Sequence, residues 1–122
     1  MILPDTSIWI DHFKAHVEKL NPLLAWGQVV NHPFVVGELA VGDLRDWFNT
    51  LAMLRELPSS PVASEDEFLH LIANEGLART GLGFVDVHLL AACRLNPGTR
   101  LWTRDKRLAA WAEKMGVGWA DS

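Results

Sequence analysis

Residues 1–13 read MILPDTSIWIDHF, and the order in which residue types change there sets the fold. A short apolar run ends at Pro4, Asp5-Thr6-Ser7 interrupts it, and bulky residues then return at helical spacing as Ile8, Trp9, His12 and Phe13. That succession is strand, turn, helix. Asp5 or Thr6 is suited to cap the helix, because a side-chain oxygen at that place accepts from the free N–H groups of the first turn. The same place is the carboxyl end of a strand, where ligands gather in a parallel sheet. Asp5 therefore has both a structural and a chemical reading.

Outward from this stretch, short apolar runs keep alternating with helical patterns. After a second helical stretch to about Trp26, QVV (28–30) is a candidate strand, stopped by Asn31, His32 and Pro33. FVVGELAVG (34–42) has the composition of a buried helix, and residues 43–57 carry Leu44, Trp47, Phe48, Leu51 and Leu54 at helical spacing. PVA (61–63) is a brief strand, and Ser64 with Glu67 is a capping-box pair opening a helix to about Arg79. TGLG (80–83) breaks the chain before the helix FVDVHLLAACRL, which Asn96, Pro97 and Gly98 close. RLWT (100–103) is a strand, a helix starts at Asp105 and stops at Gly116, and VGW (117–119) is a last strand. Strands separated by helices imply an α/β domain, a parallel sheet covered by helices. No repeat or linker divides residues 1–122, so a single domain is expected.

The chain has 122 residues, a formal net charge of −4, one cysteine, six tryptophans and no tyrosine. That length buries a core without disulfides, so Cys93 is expected as a small buried hydrophobe in a reducing compartment. No targeting segment or membrane-length apolar run is visible, and a cytoplasmic protein is expected. The acidic balance excludes broad adhesion to nucleic acid but leaves room for a local basic rim, for which Arg100, Arg104, Lys106 and Arg107 are the densest cluster. Arg100, Arg104 and Arg107 are the candidates to hold RNA phosphates, with Lys106 expected as a solvated helix residue.

Asp5 and Asp105 each follow a strand, and neighbouring strands would bring them to one edge. Glu38 in VVGELAV and Asp86 in FVDVHLL lie between apolar residues, with no Lys or Arg at helical spacing to pair with. Buried charges require partners, since desolvation costs several kcal/mol per ion. A hard divalent cation, Mg2+ or Mn2+, serves all four acids at once, because it takes oxygen ligands and relieves their mutual repulsion. Zinc does not suit a set without cysteine or a histidine pair. A carboxylate-held Mg2+ suits phosphoester hydrolysis, with Thr6, Ser7 and Thr103 as supporting hydroxyls.

DTS after the first strand, the Glu of GEL, FVDVHLLAA and LWTRDKRLA together resemble the PIN-domain ribonucleases, in particular the VapC-type toxins of toxin–antitoxin pairs. The resemblance covers essentially the whole chain. It implies a three-layer domain, a parallel sheet of four or five short strands with helices on both faces, and endonucleolytic cleavage of structured RNA, tRNA or rRNA. Asp5, Asp86 and Asp105 would hold Mg2+ or Mn2+, Glu38 would be the fourth member, and Ser7 and Thr103 would support them. It also implies a homodimer and an antitoxin whose C-terminal segment crosses the groove and can place a basic side chain in the acidic site.

Two positions depart from this pattern or tempt beyond it. Pro4 stands where the family has an aliphatic residue and should end the first strand one residue early. His88 follows Asp86 by two residues, which on a helix points it away from that acid. A phosphorylation-dependent receiver domain would need adjacent acids after the first strand and a late lysine, and two-aspartate phosphatases would need an acid at Ser7. The competing reading is a PIN-like module that binds RNA or a partner without cleaving, although four retained acids suit a polyanion poorly without a cation. Trp47 and Phe48 are candidate anchors for an antitoxin or a second subunit, with core placement the simpler expectation for both.

Overall fold

A computed structural model of the protein describes residues 1–120. Strand β1 (Ile2–Pro4) leads into α1 (Thr6–Ala15), followed by α2 (Leu20–Ala25), α3 (Pro33–Val41), α4 (Trp47–Glu56), α5 (Glu65–Glu75) and α6 (Phe84–Leu95). Strand β2 (Arg100–Trp102) and α7 (Lys106–Lys114) complete the order.

The strands pair in parallel, with Ile2 opposite Arg100, Leu3 opposite Leu101 and Pro4 opposite Trp102. Val29 bridges Ile2 on one side and Gly118 bridges Leu101 on the other, both in parallel. Extended chain therefore stands in the order 28–30, β1, β2, 117–119, but among the described residues only the central pair extends far enough to form strands. The expected four or five strands reduce to two flanked by single bridges. QVV is confined between the turn at Gly27, which takes φ +66, and the helix start at Pro33, leaving room for little more than one rung. At PVA no strand forms; the nearby bridge joins Asn31 to Ser59 instead.

Successive strand residues point to opposite faces, yet Ile2, Leu3 and Pro4 are all buried, so both faces of the sheet are covered. The core runs from Leu3, Leu101 and Trp102 of the strands to Trp9 on α1, Leu54 on α4 and Leu108 on α7. On α6 every residue from Val87 to Cys93 is buried. Each fully buried Val, Leu or Ile contributes about 1.5–3 kcal/mol from water exclusion. No helix among the described residues is long and apolar enough to cross a membrane.

Pro4 does not shorten β1. The Ile2 N–H and carbonyl bond residues 28 and 30, while the Asp5 N–H donates to the Trp102 carbonyl at 2.9 Å, so even-numbered residues face the 28–30 side. The missing N–H of Pro4 would point to that side, away from β2, so the β1–β2 ladder loses nothing. Pro33 starts a helix rather than only stopping a strand: it occupies the first turn of α3, where an N–H has no helical partner. Helix α4 begins at Trp47 instead of residue 43 because Asp46 turns the chain with φ 50, and α5 ends at Glu75 because Gly76 takes φ 69. The Ser64–Glu67 capping box forms as expected.

Candidate active site

From β1 the chain crosses to residues 28–30 on one side of the sheet, whereas β2 is followed by 117–119 on the other. The winding direction thus reverses between β1 and β2, and the carboxyl edge at such a reversal is where an open parallel sheet leaves a crevice. Asp5 follows β1 and Thr103 follows β2, on strands paired in register. The fold itself puts these two residues side by side.

Asp5 is 6% exposed. Its Oδ1 accepts from the Ser7 hydroxyl at 2.5 Å and from the Ile8 N–H at 3.3 Å, while its Oδ2 accepts from the Thr103 hydroxyl. Burial pushes the carboxyl above the usual carboxylate range, and the hydrogen bonds from Ser7, Thr103 and Ile8 pull it partly back. Asp5 thus caps α1 and is at the same time a desolvated carboxylate at the carboxyl end of β1.

The neighbouring hydroxyls carry the network outward. Thr103 Oγ1 accepts the Asp105 N–H at 3.0 Å, Ser7 Oγ accepts the Arg104 N–H at 3.2 Å, and the Thr6 hydroxyl donates to Glu38 Oε1 at 2.6 Å. Asp5, Glu38 and Asp105 are thereby joined through Thr6 and Thr103 and the adjoining backbone, with Ser7 fixing the loop. Asp105 also caps α7, its Oδ1 accepting the Leu108 N–H at 3.0 Å. Asp86 sits in the first turn of α6 and accepts the Gly83 N–H at 3.0 Å. The loop before it reaches the same edge, because a methyl built on Gly81 would collide with Arg107 Nη1 of α7.

Exposure corrects one expectation. Glu38 is exposed and Asp86 is half-buried, so apolar neighbours in sequence did not bury these two acids; Asp105, between Arg104 and Lys106, is exposed as well. On α3 the buried stripe is Val35 and Leu39, one helical turn apart, which leaves Glu38 outside it and against Thr6. Among the described residues no three Asp, Glu, His or Cys side chains stand close enough to make a ready-made cation site. Asp86 and Asp105 are turned to helix N-termini instead. The four acids offer only oxygen donors, the kind a hard cation takes, and the ion pairs among the described residues, Arg94 with Glu75 and Arg104 with Asp11, involve none of them.

The three arginines separate. Arg100 pairs with Ile2 at the amino end of the strands and donates to the Gly118 carbonyl at 3.2 Å, on the edge away from Asp5. Arg104 Nε lies 2.9 Å from Asp11 Oδ2 beside the crevice. Among the described residues Arg107 makes neither an ion pair nor a side-chain hydrogen bond, and it lies against Gly81. Lys106 is exposed, as expected.

Trp47 and Phe48 are not core: Phe48 is 81% exposed, and Trp47 donates from Nε1 to the Ala40 carbonyl at 2.9 Å. Sequence reasoning passed over His32, which caps α3 by accepting the Phe34 N–H on Nδ1 at 3.0 Å and packs 6.4 Å, centroid to centroid, from the buried His88. It also treated Gly81 as a mere break; a glycine two residues before another, ahead of an acid-bearing helix, was the available signal.

The PIN domain family pattern matches residues 2–114. The chain is 43% identical over 121 residues to Ribonuclease VapC32 from two strains of Mycobacterium tuberculosis, covering 99% of this chain and 98% of each relative. A buried acid at the switch point of a parallel sheet, tied by hydroxyls to further acids on the same edge, agrees with that match, and the chain belongs to the PIN domain family, with the VapC-type ribonucleases.

Proposed function

We propose that the chain is the toxin ribonuclease of a toxin–antitoxin pair and cleaves a phosphodiester of structured RNA, tRNA or rRNA, with Mg2+ or Mn2+. The observation that carries this reading is Asp5, a buried carboxylate held from both oxygens by Ser7 and Thr103 at the reversal of the sheet, in a chain 43% identical to a named ribonuclease. Asp5, Asp86 and Asp105 would hold the cation, with Glu38 as the fourth acid. A bound divalent cation polarises a phosphoryl oxygen and brings a water toward hydroxide at neutral pH.

The chain's own residues supply the rest. Thr103 and Ser7 fix the direction in which the Asp5 carboxylate faces, and the sheet beneath excludes water from it. Thr6 holds Glu38 at the rim, where its free oxygen can orient a water or a substrate hydroxyl. Arg104 and Arg107 stand on the same edge to hold phosphates, and Arg100 has no part in this.

An antitoxin has a place to lie. A cleft of about 500 Å3 borders Glu38 and is lined by Ile10, Phe13, Leu39, Leu44 and Arg45, and the exposed Phe48 follows in α4. An antitoxin segment bound there would bring a basic side chain to the acids. A homodimer acting in the cytoplasm completes this reading.

Thermal melting tests the cation site apart from the reaction. Millimolar Mn2+ should raise Tm relative to EDTA in the parent and leave Tm unchanged in Asp5→Asn. An equal rise in both proteins would place the cation elsewhere.

A further inference from the structure

We propose that Asp11 gates Arg104: in the free protein its carboxylate occupies the guanidinium that takes a phosphate flanking the cleaved bond, and so sets how tightly the RNA strand is held along α1. This deepens the ribonuclease reading and rests on it. Helix α1 grips Arg104 at two points. The Arg104 N–H donates to Ser7 Oγ at 3.2 Å, and its Nε lies 2.9 Å from Asp11 Oδ2. Ser7 and Asp11 are four residues apart on α1 and therefore share a face of that helix. The first point belongs to the site, because the same Ser7 hydroxyl donates to Asp5 Oδ1 at 2.5 Å. One hydroxyl thus separates the backbone of Arg104 from the buried acid, while its guanidinium reaches along α1 to Asp11. Asp11 stands six residues beyond Asp5, about 9 Å along the helix axis. That separation puts the guanidinium at a phosphate next in line rather than at the one that Asp5 and its cation would engage.

A carboxylate paired with an arginine occupies donors that a phosphate would use, since both anions present paired oxygens to the planar fork. The pair is open to exchange: its two side chains are 47% and 49% exposed, and pairs in that setting are weak. Room for a strand adjoins it. A cleft of about 450 Å3 runs from Asp11 and Arg104 past Ala15 and His16 to Glu18 and Lys19. Lys19 and Arg104 offset Asp11 and Glu18 there, so the cleft as it stands has no net attraction for a polyanion. The carboxylate of Asp11 is what keeps this cleft from being a basic groove, and an RNA strand enters it by taking the guanidinium over.

The test uses the full chain and a fluorescein-labelled, mixed-sequence single-stranded RNA of about 12 nucleotides. Binding is followed by anisotropy in EDTA, where the metal-dependent step cannot proceed. Asp11→Asn should tighten binding about two- to fivefold, the range in which an exposed pair holds its partner. Arg104→Gln, which keeps the backbone N–H on Ser7, should weaken binding and reduce the slope of log K against log salt by about 0.7, the value for one phosphate contact on a single strand. In the Arg104→Gln background Asp11→Asn should change affinity little, because the gain passes through the guanidinium. Melting temperatures should scarcely move, since both side chains are surface groups. An equal gain in both backgrounds would reflect only the loss of a negative charge and would overturn the gate; weaker binding by Asp11→Asn would overturn it too and make Asp11 a support for Arg104. In cleavage, Arg104→Gln should raise KM and leave kcat nearly unchanged, as for a contact made equally before and during the reaction. A fall in kcat with KM unchanged would put Arg104 at the reacting phosphate and overturn the flanking assignment. Should the parent cleave RNA while the Asp11→Asn gain is equal in both backgrounds, the gate fails and the ribonuclease stands; a parent that neither binds nor cleaves RNA removes both.

Discussion

Thr103 donates its hydroxyl hydrogen to Asp5 Oδ2, joining residues 98 positions apart at the ends of adjoining parallel strands. The same hydroxyl accepts the Asp105 N–H, so one oxygen links the buried acid to the start of α7. Thr103→Val keeps the shape and removes both bonds. Cleavage should fall about 10- to 100-fold, the usual effect of losing a group that orients a ligand, and stability should fall by about 1–3 kcal/mol. Thr103→Ser should recover most of the activity, which separates the hydroxyl from the packing of the methyl; urea unfolding and initial cleavage rates on the two variants decide it.

Asp5→Asn should abolish cleavage while leaving the fold intact. Asparagine is as good a helix cap as aspartate, and it removes a charge that burial already disfavours. The metal-free variant should therefore melt at the same temperature as the parent or somewhat above it, in contrast to most changes at buried positions. A large drop in Tm would mean that the carboxylate is chiefly structural.

Acid should destabilise the protein through His32. Burial, and then the neighbouring His88, push His32 down to about 4 from its ordinary 6.5. Neutral His32 is also required for its cap, since a protonated Nδ1 cannot accept the Phe34 N–H. Its contribution is complete above pH 6.5 and is lost as pH falls from 6.5 to about 4, about 3 kcal/mol in all. His88, also pushed down by burial, adds to the loss, whereas the raised carboxyl of Asp5 opposes it because acid removes a desolvated charge. His32→Asn keeps a cap without the titration, so its unfolding free energy should change less than the parent's over that range. Parallel profiles would remove His32 as the cause.

Cys93 should resist a thiol reagent in the native protein. It is 2% exposed on α6, and burial pushes its thiol up to about 12, far from the thiolate that reacts. Labelling by an aromatic disulfide should occur only after denaturation, and fast native labelling would show that α6 opens locally.

Much of this arrangement is legible in residues 1–13 and in LWTRD. Strand, acid and helix in immediate succession fix where Asp5 stands, and a second strand ending at Thr103 and Asp105 completes the edge. What could not be read has local causes. Apolar neighbours of Glu38 say nothing about which side of a 3.6-residue period it takes, and α3 turns it outward. Val29 and Gly118 have strand composition around them, but helix starts and turns leave one rung each. Arg100 and Arg104 are close in sequence, yet β2 carries them to opposite edges of the sheet. The approach of Arg107 to Gly81 joins positions 26 apart, which no local pattern announces.

The most direct measurement is cleavage of total bacterial RNA by the purified protein freed of any antitoxin, in Mn2+ or Mg2+, beside EDTA and Asp5→Asn controls. Discrete fragments that require both the cation and Asp5 are the expected result, and they would also identify the target. Fragments that persist in EDTA or with Asp5→Asn would contradict the assignment of the site, and intact RNA with a folded, metal-binding protein would contradict a ribonuclease acting on that RNA and favour a module that binds without cleaving.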